Sequence, residues 1–133
     1  MSESVRILLI DDQPDFLEPM SFWMKSKGFE VVTATDGETG IELVREGSVD
    51  VVFVDYKMPG MNGLEAIRRI RDLNKTIPVV ILTAHADDID LQRGTKDLNI
   101  FGLFPKMAKF EDLDNVLDVI SRTVKKNKPE AGS

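Results

Sequence analysis

The chain has 133 residues, 42% of them hydrophobic and 30% charged, with 23 acids against 17 bases and a formal charge of −6. That length fits one domain with a real core, and the acidic balance argues against wholesale binding to nucleic acid or to an anionic membrane. With no Cys, disulfides, thiolate metal sites and cysteine nucleophiles are excluded together.

Residues 5–10 open the chain as an apolar run closed by Asp11-Asp12. Phe16, Met20, Trp23 and Met24 then fall at helical spacing, and Pro19 inside that stripe predicts a kink or a late helix start. Residues 29–34 form the second run. Asp36-Gly37 opens a shorter helix with Ile41 and Val44 inward. The third run, residues 50–54, ends at Asp55 and a turn-forming stretch through Gly60. Asn62, with Glu65 three residues on, predicts the start of a helix carrying Leu64, Ile67 and Ile70. The fourth run, residues 78–82, leads into Thr83, Ala84 and His85. Residues 87–99 hold Ile89, Leu91 and Leu98 but also Gly94, which costs about 1 kcal/mol relative to Ala. That segment is the weakest helix of the set and is expected to be mobile. Residues 100–104 are the fifth run, with Pro105-Lys106-Met107 beyond it. Phe110, Leu113, Val116, Leu117, Ile120 and Val124 make the cleanest helical stripe, ending in Lys125-Lys126.

Continuous apolar runs with little polar alternation suit strands covered on both faces. Alternating with helices, they predict an α/β fold with right-handed crossovers. One domain is expected over residues 1–126, with residues 127–133 as a flexible tail. No apolar run approaches the ~18 residues of a membrane span, and the opening Met1-Ser2-Glu3-Ser4 is not a secretory leader. A cytoplasmic location without membrane insertion is therefore expected.

In open α/β sheets, ligands bind at the carboxyl ends of the strands. Asp11 and Asp12 follow the first run, Asp55 the third, Thr83 the fourth and Lys106 the fifth. Each has an ordinary structural use taken alone: a helix cap for Asp11-Asp12, a turn for Asp55, a strand residue for Thr83, a solvated charge for Lys106. Together on one rim, three carboxylates repel and call for a cation. All-oxygen ligands suit Mg²⁺, or equally Mn²⁺.

On these residues, and on Met58-Pro59-Gly60-Met61-Asn62-Gly63 after Asp55, the chain from about Val5 to Val124 resembles a receiver domain of two-component response regulators. The resemblance implies a flavodoxin-like, doubly wound, five-stranded parallel sheet of order 2-1-3-4-5 with five helices. It implies Asp55 as acceptor of a phosphoryl group from the phosphohistidine of a histidine kinase or phosphotransfer protein. Asp11, Asp12, Asp55 and the backbone carbonyl of Lys57 would hold Mg²⁺, while Lys106 and Thr83 would engage phosphoryl oxygens. Phosphorylation would reshape the face made by the fourth helix, fifth strand and fifth helix for a downstream protein, with no direct nucleic-acid contact. A homodimer through that face is the oligomer the resemblance admits.

Three positions depart from the family pattern. Lys106 is preceded by Pro105 and followed by Met107, where receivers usually have Lys-Pro, often with a cis bond. A cis bond to a non-proline costs ~2.5–4 kcal/mol, so a rebuilt loop or strain is expected. The aromatic three residues before the lysine is Leu103, and Leu98-Asn99-Ile100 replaces a run of small residues. His85 reads as an exposed loop residue, or as a rim residue that with Lys57 adjusts water attack on the phosphoryl group.

Two other readings stay beside the receiver. A Mg²⁺-dependent phosphatase or phosphotransferase of haloacid-dehalogenase type also uses an Asp after its first strand, but the Asp-x-Asp pattern is absent from Asp11-Asp12-Gln13-Pro14-Asp15. A degenerate receiver acting as a constitutive binding module is opposed by the retention of Asp12, Asp55, Thr83 and Lys106. Neither G-x-G-x-x-G nor a P-loop occurs.

Overall fold

A computed structural model describes residues 4–107 and 110–127. The elements alternate strictly: β1 (Arg6–Ile10), α1 (Pro14–Ser26), β2 (Glu30–Ala34), α2 (Gly37–Arg45), β3 (Val51–Val54), α3 (Gly63–Leu73), β4 (Val79–Thr83), α4 (Ile89–Gly94), β5 (Gly102–Pro105) and α5 (Phe110–Asn127). The strands form one sheet in the order β2-β1-β3-β4-β5, every pairing parallel. This is the expected architecture. Asn127 belongs to α5 rather than to the tail expected to begin there, and the rest of that segment, 128–133, lies outside the described residues.

Strand side chains alternate between two cores because successive residues point to opposite faces of the sheet. Leu8, Ile10, Val52, Val54, Val79 and Ile81 pack with Ile41, Ile67, Ile70 and Leu91 on the α2–α3–α4 side. Ile7, Leu9, Val51, Phe53, Val80 and Leu82 pack with Leu17, Met20, Met24, Leu113, Leu117 and Ile120 on the α1–α5 side. Each fully buried aliphatic side chain contributes about 1.5–3 kcal/mol, so both faces must be covered for the sheet to be stable.

Helix starts follow local chemistry. The Asp36 carboxylate accepts the Thr39 amide at 2.7 Å, and the Asn62 side chain accepts the Glu65 amide at 3.0 Å. For α1 the N-cap is Gln13, which gives no side-chain cap; Pro14 occupies the first turn, where its missing N–H is harmless. The late start does not occur, because the helix begins five residues before Pro19. Its sheet-facing stripe is Leu17, Met20, Ser21 and Met24, leaving Phe16 and Trp23 half-buried at the margin.

Within residues 87–99, the segment expected as the weakest helix, α4 covers six residues. Ile89 is exposed, whereas Leu91 and Leu98 are buried. Gly94 also has a packing role: a Cβ there would lie 2.6 Å from Leu64 Cδ1, so the glycine admits α4 close to α3. Beyond it, Arg71 of α3 is buried without a carboxylate partner among the described residues. It donates from Nε to Leu98 O (2.8 Å), from one terminal nitrogen to Ile77 O (2.7 Å) and Asn74 O (3.2 Å), and from the other to Asn99 O (2.8 Å). Burial pulls the Arg71 pKa down from its ordinary value. A single guanidinium thus binds the loop before β4 to the loop before β5, where Asn99 takes φ +53°.

Candidate functional site: an acidic rim with one lysine

The rim is built by continuing the sheet ladder one rung past each strand. The Asp11 amide donates to Ala34 O of β2 (3.0 Å), the Asp55 amide to Ile10 O of β1 (2.9 Å), and the Lys106 amide to Thr83 O of β4 (2.9 Å). Backbone bonds therefore fix the starting point of each functional side chain. The β3–α3 turn adds a second constraint on Asp55. Gly60 takes φ +80°, open to glycine at no steric penalty. The Gly63 amide donates to Tyr56 O at 2.6 Å, and Gly63 packs so tightly that an added Cβ would lie 2.2 Å from Asp55 O.

One carboxylate oxygen from each of Asp11, Asp12 and Asp55 lies within 4.8 Å of the other two. Asp11 and Asp55 are buried, and Asp12 is half-buried. The two buried carboxylates share a pattern. Each accepts a backbone amide on Oδ1, Asp11 from Gln13 at 2.9 Å and Asp55 from Tyr56 at 2.7 Å. Each turns Oδ2 to the Lys106 ammonium, at 2.6 Å and 3.1 Å respectively. Lys106 Nζ also donates to Gln13 Oε1 at 3.1 Å and stands 4.5 Å from the centre of the Phe16 ring.

Burial pushes the Asp11 carboxyl up, and the Asp55 charge adds to this. The Lys106 and Gln13 hydrogen bonds oppose the rise without cancelling it. For Lys106, burial works against the ammonium, but its bonds to Asp11 and Asp55 outweigh it and hold the pKa above the usual lysine value. Three carboxylates against one ammonium remain net negative when all are ionised. An all-oxygen set of this charge fits a divalent hard cation.

Thr83 is fully buried at the end of β4, its Oγ1 accepting the His85 amide at 3.1 Å. His85 O in turn accepts the Asp88 amide at 3.0 Å, and Asp88 caps α4 by accepting the Asp90 (2.9 Å) and Leu91 (3.1 Å) amides. His85 and Lys57 are exposed, and Lys57 lies in the β3–α3 loop two residues past Asp55. All peptide bonds among the described residues are trans, so Lys106-Met107 carries no cis bond. Leu103, in the position receivers often give to an aromatic, packs on the α2–α3–α4 side, while Phe104 packs on the other.

The sequence brought Asp11, Asp12, Asp55 and Lys106 to one rim, and the structure joins all four. It did not disclose Gln13 or Phe16 as neighbours of Lys106. Gln13 carried no signal, and Phe16 reads as core from its spacing.

The profile described as the response regulator receiver domain matches residues 7–118. This chain belongs to the response regulator receiver domain family. It is 31% identical over 123 residues to the transcriptional regulatory protein GlrR of Escherichia coli, covering 92% of this chain but 27% of that protein. Against the sporulation initiation phosphotransferase F of Bacillus subtilis it is 28% identical over 117 residues, covering 88% of this chain and 91% of that one. It spans 39% of the DNA-binding response regulator MtrA of Mycolicibacterium smegmatis. Among solved structures, a response regulator receiver domain protein from Clostridium thermocellum superposes with a TM-score of 0.84 at 29% identity, covering 93% of this chain and 99% of that one. The response regulator TrrA of Thermotoga maritima, in complex with Mg²⁺-BeF, gives 0.79 at 28% identity, covering 87% and 98%. Family membership disfavours the phosphatase reading. No helix among the described residues is long and apolar enough to cross a membrane.

Proposed function

We propose that Asp55 is the phosphoacceptor of this receiver and that a histidine kinase or phosphotransfer protein supplies the phosphoryl group. The observation that carries this reading is the convergence of Asp11, Asp12, Asp55 and Lys106 on one rim. Asp55 Oδ2, the oxygen turned to Lys106, is the nucleophile. It bonds to phosphorus as the bond to the donor's histidine nitrogen breaks, giving an acyl phosphate. The central difficulty is an anion approaching an anion, and positioning with charge neutralisation governs phosphoryl transfer.

Asp11, Asp12, Asp55 and the Lys57 carbonyl would hold Mg²⁺, with Mn²⁺ as an alternative of the same ligand chemistry. TrrA in complex with Mg²⁺-BeF supports the choice. When bound, the ion supplies charge neutralisation between the carboxylates and the phosphoryl oxygens. Lys106 contributes a compact cation beside Asp55. Thr83, whose oxygen accepts from His85, keeps its own hydroxyl proton to donate to a phosphoryl oxygen. Through the His85–Asp88 bonds, that donation couples to α4 and to the α4–β5–α5 face, the surface for a downstream protein in the cytoplasm.

The test is incubation with Mg²⁺ and acetyl phosphate, followed by intact mass. One added phosphoryl group that requires the metal and is lost in Asp55→Asn is expected. Addition that survives Asp55→Asn overturns the assignment.

A further inference from the structure

Among the described residues the Lys106 ammonium has four neighbours, of which two are carboxylates. The others, Gln13 Oε1 at 3.1 Å and the Phe16 ring at 4.5 Å, both come from the junction of β1 and α1. Neither position drew a functional reading from the sequence. The lysine needs outside support, because its stem is flexible. Among the described residues its own loop provides one tie, the amide bond to Thr83 O, and the next residue, Met107, is 92% exposed.

The two neutral partners differ from the acids in one respect. A divalent ion and a phosphoryl group would both draw on the Asp11 and Asp55 oxygens that now face Lys106. An aromatic face attracts an ammonium through its quadrupole, and an amide oxygen accepts its N–H. Both survive those changes untouched. We propose that Phe16 and Gln13 are positioning residues for phosphoryl transfer: a neutral cradle that keeps the Lys106 ammonium aimed at the phosphoryl site once Asp11 and Asp55 are otherwise engaged. This deepens the phosphoacceptor reading and rests on it.

The test uses the whole chain as Phe16→Leu, Phe16→Tyr and Gln13→Ala. Two measurements are made: the NMR shifts of the Lys106 ε-methylene protons without phosphodonor, and the acetyl phosphate dependence of phosphorylation at saturating Mg²⁺. Phe16→Leu keeps the apolar volume but removes the ring. It is expected to abolish the ring-current displacement at Lys106 and to lower the maximal rate about fivefold, with the half-saturating donor concentration little changed. Phe16→Tyr, which restores an aromatic face, is expected to recover both. Gln13→Ala, at an exposed position whose side chain gives α1 no cap, should lower the maximal rate about twofold. Unchanged rates in both Phe16→Leu and Gln13→Ala overturn the cradle, as does a wild-type Lys106 without a ring-current displacement. Failure of the wild type to take up phosphate would instead strike at Asp55, and the NMR measurement separates the two cases.

Discussion

Lys106 Nζ lies 2.6 Å from Asp11 Oδ2, although β3 and β4 separate their two strands in the sheet. The lysine reaches across both strand ends and sits among the carboxylates that would hold a divalent ion. Two cations cannot share those oxygens without repulsion. Lys106→Met is therefore expected to bind Mg²⁺ about fivefold more tightly than the wild type at low ionic strength, the size of one partly screened charge. Titration calorimetry without phosphodonor measures this. Weaker binding in the variant would show that the ammonium and the ion do not compete.

The close approach of Gly63 to Asp55 gives a second expectation. With backbone rather than a flexible side chain 2.2 Å from an added Cβ, Gly63→Ala must push the β3–α3 turn away from the rim. A loss of about 1–3 kcal/mol is expected in urea unfolding, together with slower phosphorylation of Asp55. An alanine variant that is as stable and as reactive as the wild type would mean that the turn moves freely.

Arg71 provides a test remote from the rim. Arg71→Met keeps an apolar stem but strands the carbonyls of Leu98 and Ile77, and those of Asn74 and Asn99 beside them. An unfolding loss of about 2–4 kcal/mol is expected, with Arg71→Lys intermediate because an ammonium cannot span four acceptors in a fork. Hydrogen exchange should quicken in the loop before β5. Global destabilisation without that local change would place the role of Arg71 elsewhere.

The Asp36 cap carries a pH dependence. The Thr39 amide bond holds its carboxyl below the ordinary value of 3.8. A depressed carboxyl stabilises the fold above the unfolded pKa, and that contribution fades as pH falls through the folded one. Asp36→Ala should therefore cost about 1 kcal/mol at neutral pH, an upper figure for so exposed a group. The difference from wild type should shrink below pH 3.8, which thermal melts at stepped pH would resolve. A gap that stays constant into acid would remove the carboxylate from the account.

The alternation of strands and helices was legible from the residues, the sheet order only through the family resemblance, and the places of Asp11, Asp55 and Thr83 because each is covalently next to an apolar run. In a parallel sheet, that adjacency alone puts a residue on the carboxyl rim. Lys106 was legible by position, but its aim was not, since it depends on a long side chain crossing two strand ends. Phe16 shows the same limit: helical spacing assigned it to the core stripe, and one step of register moved Leu17 inward and left the ring beside the lysine. Arg71 drew no reading from the sequence, because two of its four acceptors, Leu98 O and Asn99 O, lie in a loop far along the chain. Gly94 looked like a weakness in α4 until Leu64 was seen to need its space.

Thr83 is already tethered: its oxygen holds His85, His85 holds Asp88, and Asp88 holds the first turn of α4. A pull on that buried hydroxyl would travel as a tug along a short cord instead of waiting for distant packing to rearrange. Six helical residues are a light load at its far end, so a small displacement at the sheet edge can become a change of shape on the outer surface.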